Sequence, residues 1–440
     1  MSDEFSDSEK MGRMPWFYAY NATNQMFSAL TWFGPVFVLF LSEIDLAKTR
    51  IGFLLSLLPF SGVVALFIAP AVARIGLRLV FLLCWTVRTT VTAFLLLTPW
   101  VVARHGTEGA FLYISVLMAL FCTLRAVGKT AWQPWNQELI PPRVRGRVQA
   151  INHMLIVLTG SLLLAGASWI LDHGTGLGRF TTLFAIGVGG GYVSVLCAMR
   201  LRGGSRGGRL RTTAHASLML QALRDGPFRL FLIYTALSMV TIQSVVVSFV
   251  PLFMKEQVGL PGSQVVLLEV AAGICGILSS YGWGMWADRA GSRPLMPIMV
   301  ITLLLPVLWM ALPRHSEWSF LAAIGVAALA GLAFTGSWIV QHRLLYVEIV
   351  PPEKRVEYLA IHYAWIGLVG GCGPLAAGAL LDAFQGFSGQ LGPLILDSYS
   401  PLFAGSLVSL GAGMIVLAAL RRGLALRPAI PATGIAAAER

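Results

Sequence analysis

The chain is short of charge. Asp, Glu, Lys and Arg make up 12% of its 440 residues, about half the ~25% of an ordinary soluble domain. Thirty-two basic and 20 acidic side chains cannot form the charged shell that a soluble protein of this length needs, which excludes a soluble enzyme and a disordered chain. Cysteine is scarce too. Cys84, Cys122, Cys197, Cys275 and Cys372 all fall inside apolar runs, so free thiols are expected and a disulfide-stapled secreted scaffold is excluded. There is no His-Glu-x-x-His, no Cys-x-x-Cys and no Asp/His cluster on an apolar run. The expectation is therefore not an enzyme, with no cofactor and no metal. The first residues carry Asp3, Glu4, Asp7 and Glu9 and lack the positive flank of a cleaved signal, so the first apolar run is expected to be retained.

What is abundant is apolar surface. Hydrophobic residues make up 56% of the chain and mean hydropathy is +0.74. Twelve runs of roughly spanning length follow one another: 16–41, 51–73, 79–103, 110–136, 148–171, 180–200, 228–254, 263–287, 294–313, 318–347, 358–381 and 401–420. Each approaches the ~20 residues that cross a bilayer as a helix. Net charge is +12. The 32 basic residues gather in alternate loops: 22 fall on the side of the amino terminus, six on the other side and four within runs. That asymmetry is the positive-inside pattern and not a nucleic-acid footprint. Both termini are expected in the cytoplasm and the chain in the cell (plasma or inner) membrane, as a multi-pass protein and a monomer with no nucleic-acid partner.

The second half repeats the first. Shifted by 210 residues, Glu138-Leu-Ile-Pro-Pro meets Glu348-Ile-Val-Pro-Pro, Arg145 meets Arg355, and Leu171-Asp172 meets Leu381-Asp382. Twelve of the 35 positions from 138 to 172 are identical without a gap. Six runs per copy give both copies the same membrane orientation. The expected fold is an all-α membrane protein of twelve transmembrane helices, in two six-helix bundles related by a pseudo-twofold along the membrane normal. Its divisions would be a cytoplasmic segment 1–15, a bundle 16–200, a basic Gly/Arg-rich linker 201–227, a bundle 228–421 and a tail 422–440.

Between the eighth and ninth runs the chain reads Gly284-Met-Trp-Ala-Asp288-Arg289-Ala-Gly291-Ser-Arg293. This resembles the signature of the major facilitator superfamily: a Gly, then Asp-Arg, then Gly and a basic residue. The matching turn of the first half keeps Arg74, Gly76 and Arg78 but has Ala73 where the acid belongs. The Pro-Pro-x-x-Arg loops ending in Arg145 and Arg355 also resemble the family. The resemblance implies a secondary transporter working by alternating access, with Asp288, Arg289, Gly291, Arg293, Arg145 and Arg355 as gating residues.

Ionisable groups inside a membrane usually face a bundle interior or water. Arg125, Lys129, Trp132 and Asn136 share one face of the fourth run. Their repeat mates are Thr335, Ile339, His342 and Tyr346, with Trp338 nearby. Asn21, Asn24, Gln25 and Ser28 form a polar stripe on the first run. All of these except Ile339 are candidate substrate-binding residues, and core packing is the competing role for each. Glu269 is the one acid well inside a run and is the candidate proton-coupling residue. Arg88 is expected to pack or to meet lipid headgroups. The first six runs hold three cations and no acid, which favours a small anionic organic solute as partner. A sugar or glycoside symporter, a drug/proton antiporter and, remotely, a non-transporting receptor are the other readings.

Overall fold

The computed structural model describes residues 7–141, 144–204, 222–351, 355–391 and 394–425. The linker expectation falls mostly on 205–221 and the tail expectation mostly on 426–440, outside the described residues. The chain is built of helices, as a bilayer demands: lipid offers backbone groups no partner, so each span must satisfy its own. The first part comprises α1 (Asp7–Gly12), α2 (Met14–Leu30), α3 (Pro35–Glu43), α4 (Lys48–Ile75), α5 (Leu77–Ala93), α6 (Thr98–Leu139), α7 (Arg145–His173) and α8 (Gly178–Met199). The second comprises α9 (Gly226–Thr241), α10 (Val250–Glu256), α11 (Gly262–Ala290), α12 (Leu295–Met310), α13 (Ser319–Arg343), α14 (Arg355–Ala383) and α15 (Ser400–Ala425).

Among the described residues, nine helical stretches are long and apolar enough to cross a membrane. One of them, Leu77–Leu139, has 63 residues, about 95 Å of helix against a hydrocarbon core of ~30 Å. It cannot be one crossing, and the backbone breaks at Gly106, with φ 65° and ψ −168°. The 28-residue α4 and the shorter apolar α12 lie outside the nine.

Three departures from the sequence reading have local causes. The first run is not one helix: α2 stops at Leu30 and α3 restarts at Pro35, after Gly34 at φ 97°. Proline cannot donate to the preceding turn and glycine tolerates the left-handed backbone. The seventh run passes through a π-helical turn, Ile242–Val247, before α10 restarts with Pro251 in its first turn. The third is a small antiparallel hairpin, β1 (Gly389–Leu391) with β2 (Leu394–Leu396), between α14 and α15, which leaves the all-α expectation standing.

The core is not uniform. One apolar cluster draws on both parts, from Phe27 to Phe184 and from Val245 to Phe403. It fills the end of the molecule that carries the 43–48, 174–178, 257–262 and 384–399 connections, here termed the distal face. Toward the opposite, terminal face the core divides. One cluster around Phe81, Trp85 and Trp135 belongs to the first part, and one around Phe231, Tyr234 and Leu344 to the second. The parts meet along α4 with α14 and along α7 with α11. At Gly52 a Cβ would stand 2.2 Å from the Pro374 carbonyl oxygen, and at Gly378 2.4 Å from that of Lys48. Only glycine lets α4 and α14 approach so closely.

Candidate functional site

A cavity of about 670 Å³ lies between the two parts, within the range of sites that enclose small organic ligands. The interrupted helices frame it: Gly34 and Pro35 on one side, Val246, Ser248 and Pro251 on the other. Breaks in spanning helices are tolerated where they border a cavity. Gly34-Pro35 is a turn signal present in the sequence inside the first apolar run.

Among the described residues two charged side chains line the cavity, Arg125 from α6 and Glu269 from α11. Neither forms an ion pair among the described residues. The Arg125 guanidinium lies 5.0 Å from the Phe33 ring centroid, a cation–π contact at the break between α2 and α3. Lys129, one turn further along α6, is exposed, as is Gln133 after it. Gln133 was absent from the candidates, although it continues the i, i+4 stripe.

Other candidates sit elsewhere. Trp132 is buried against Phe17, Tyr20, Phe81 and Trp135. It packs the first part's own core, which corrects its expected place on the cavity wall. Asn136 is half-buried, and its side-chain oxygen has no described partner. Asn24 also turns inward, accepting bonds from Trp85 Nε1 at 3.2 Å and from Arg88 Nη2. Arg88 itself is 2% exposed and lies 3.8 Å from the Trp85 ring centroid and 4.6 Å from that of Phe27. Lipid headgroups are therefore not its partner: an amide and two aromatic faces hold it inside. Asn21 donates to the Phe17 carbonyl at 2.9 Å, Gln25 lies against Gly160 of α7, and the Ser28 carbonyl accepts the Phe33 N–H at the helix break. The polar stripe of α2 thus serves helix packing at Asn24 and Gln25.

On α13, Thr335 lies against Gly276 of α11. Beyond Phe334, which lines the cavity, an aromatic ladder runs toward the terminal face. Trp338 and His342 have ring centroids 4.1 Å apart, and His342 and Tyr346 5.9 Å. The Tyr346 and Tyr363 hydroxyls are 2.9 Å apart, and Tyr363 reaches the cavity from α14.

At the terminal face, Arg343 donates to Asp288 at 3.2 Å. Glu348 accepts from the N–H and hydroxyl of Ser292 at 2.9 and 2.7 Å. Gly291, at φ 65°, makes the turn, and Arg289 and Arg293 are exposed. Arg145 and Arg355 open α7 and α14, but their side chains lie outside the described set.

A model of the Major Facilitator Superfamily matches residues 22–346 and 245–434. Among solved structures, the nucleoside transporter NupG aligns with a TM-score of 0.69 at 13% identity, over 94% of this chain and 100% of that one. A bacterial homologue of the iron transporter ferroportin, in an inward-facing state, aligns with 0.67 at 12%, over 93% and 98%. The inward-open xylose transporter XylE from E. coli aligns with 0.63 at 13%, over 92% and 95%. At such identities the likeness is one of fold.

Proposed function

The chain belongs to the major facilitator superfamily, a family of membrane transporters, and from that premise we propose that it is a secondary active carrier of a small, acid-bearing organic solute. The observation that carries this reading is the pair Arg125 and Glu269, contributed by opposite parts to one cavity and without ion partners among the described residues. A cation on a membrane-spanning helix calls for a counter-charge, and an anionic solute supplies one. Glu269 is the residue proposed to take up and release the coupling proton. Twelve spans form two six-helix bundles, with both termini cytoplasmic in the plasma or inner membrane. Residues 16–200 rock against 228–421 so that the cavity opens to each side in turn. The carrier works as a monomer. Residues 1–15, 201–227 and 422–440 are its cytoplasmic segments.

Uptake by proteoliposomes tests the reading. Arg125→Ala is expected to raise the transport KM for the acid about tenfold or more, the loss of one charge-assisted contact. Glu269→Gln is expected to abolish proton-driven accumulation and to spare exchange. Unchanged constants in the first variant remove the anion reading, and unchanged accumulation in the second removes proton coupling. A sugar symporter is the second reading, and the ladder Trp338–His342–Tyr346 is the feature that favours it.

A further inference from the structure

The cavity discriminates between solute classes more sharply than its charges alone. Its walls are dominated by apolar side chains, among them Leu58, Met118, Val246, Leu268 and Phe334. The charged or hydroxyl-bearing side chains described on the lining are Arg125, Glu269, Ser248 and Tyr363. The Tyr363 hydroxyl is engaged with that of Tyr346, and Ser248 takes part in an interaction of its own. Trp32 also lines the cavity, but its indole N–H is spent on Thr92 Oγ1 at 2.7 Å.

A sugar arriving here would leave most of its hydroxyls facing hydrocarbon, and a buried hydroxyl without a partner is unfavourable. Sites that select polyhydroxylated ligands bring a polar group to each hydroxyl. A small inorganic or short-chain anion fits no better, since it would satisfy Arg125 and leave the rest of about 670 Å³ unfilled. A solute with one acidic group and a bulky apolar body meets both conditions. Its acid lies at Arg125, beside Phe33, and its body lies against Phe334, Leu268 and Val246.

We infer that the transported solute is an amphiphilic organic acid, whose single anionic group is bound by Arg125 and whose apolar body fills the cavity between the two parts. This rests on the carrier reading above and narrows it, taking the sugar alternative out. The ladder from Trp338 to Tyr346 then lines the path toward the terminal face, where flat aromatic faces suit an apolar body passing through.

The test uses naphthalene-2-sulfonate, which is permanently ionised and so does not leak across lipid as a neutral acid. Its uptake into proteoliposomes carrying the full chain is compared with that of methanesulfonate, xylose and uridine. Saturable uptake of the naphthalene compound is expected, with methanesulfonate weaker by at least about tenfold and no saturable uptake of xylose or uridine. Phe334→Ala is expected to weaken naphthalene-2-sulfonate several-fold and methanesulfonate by less. Arg125→Gln is expected to weaken both, and size-exclusion elution confirms that each variant is folded. If methanesulfonate equals the naphthalene compound, the apolar-body inference fails and the anion carrier stands. Preferred uptake of xylose or uridine overturns the inference and the anion reading together, leaving a carrier. Saturable uptake of none of the four, by folded protein, overturns the inference and removes the support for transport itself.

Discussion

The two ends of the molecule are fastened differently. At the distal face, side-chain bonds join residues 7–204 to residues 222–425. Glu43 accepts from Arg179 of its own part at 2.8 Å and from Lys255 of the other at 3.2 Å. Lys48 pairs with Glu256, which also accepts the Tyr399 hydroxyl at 2.7 Å. Burial beside the Glu256 and Asp397 carboxylates holds that hydroxyl protonated well above the ordinary tyrosine range. At the terminal face the bonds of Asp288 with Arg343, Glu348 with Ser292, and Glu138 with the Gly204 N–H each stay within one part. The core follows the same rule, continuous across the parts at one end and divided in two at the other. A molecule fastened in this way is closed distally and separable terminally. Exposed Lys129, Gln133 and Trp338 lie on the terminal side of the cavity.

The repeat explains how the distal fastening is built. Asp172 and Asp382 are repeat mates, and each ends a helix of one part against the start of a helix of the other. Asp382 accepts the Lys48 and Thr49 N–H groups at 3.1 and 2.8 Å, at the first turn of α4. Asp172 accepts the Ser263 hydroxyl at 3.4 Å, at the first turn of α11. A carboxylate at a helix N-terminus meets unsatisfied donors and a favourable dipole. The two mates occupy equivalent places with unequal bonds.

The largest expected effect comes from the close approach beneath these caps. Gly52→Val would set a branched Cβ 2.2 Å from the Pro374 carbonyl oxygen, an overpacking that costs ~1–3 kcal/mol. The expected result is a melting temperature lowered by several degrees in detergent. Spin labels at Asp45 and Glu317, both exposed at this end, should also move apart. An unchanged distance distribution would mean that the α4–α14 seam does not hold the end shut. Next comes Asp382→Asn, which weakens two bonds to backbone N–H groups and is expected to cost ~0.5–2 kcal/mol, the range of a lost N-cap. That should widen the same label distances. Asp172→Asn, which touches one longer hydroxyl bond, should widen them less. The reverse order would sink the inequality read from the geometry.

Much of this was legible in the sequence, and the rest was hidden for identifiable reasons. The apolar runs, the repeat and the loop ending in Arg293 point to a membrane transporter family because composition and spacing carry that information directly. Arg125 and Glu269 were legible as well, since an ionisable group on an apolar run needs a reason to be there. Trp132 was misplaced because helical periodicity gives a face but not which neighbour it meets. On α6 the exposed side and the core side are separated by a single residue step, from Gln133 to Trp132. Asn24 reads as a cavity residue on its own helix, because nothing there reveals that Arg88, 64 positions away, needs its side-chain oxygen. The distal bonds were invisible for the same reason: Glu43 and Lys255 are ordinary loop-end charges until the fold brings them to 3.2 Å.

The smallest effects sharpen the comparison by contrast. Glu43→Gln removes the acid shared by Arg179 and Lys255, whose side chains are about a quarter exposed. Pairs so open to water contribute ~0.2–1 kcal/mol and weaken with salt. A slight widening of the Asp45–Glu317 label distance is expected at low ionic strength, and none at high salt. Asp288→Asn removes an equally weak pair, with Asp288 79% exposed, but that pair lies within one part. It should leave the distal distances unchanged at every salt concentration, because Asp288 and Arg343 both belong to the second part and move together. If Asp288→Asn did widen the distal end, the terminal bonds could not be internal to a rigid part. The closed distal face would then depend on both ends of the molecule, and the two-ended description would have to be replaced by a coupled one.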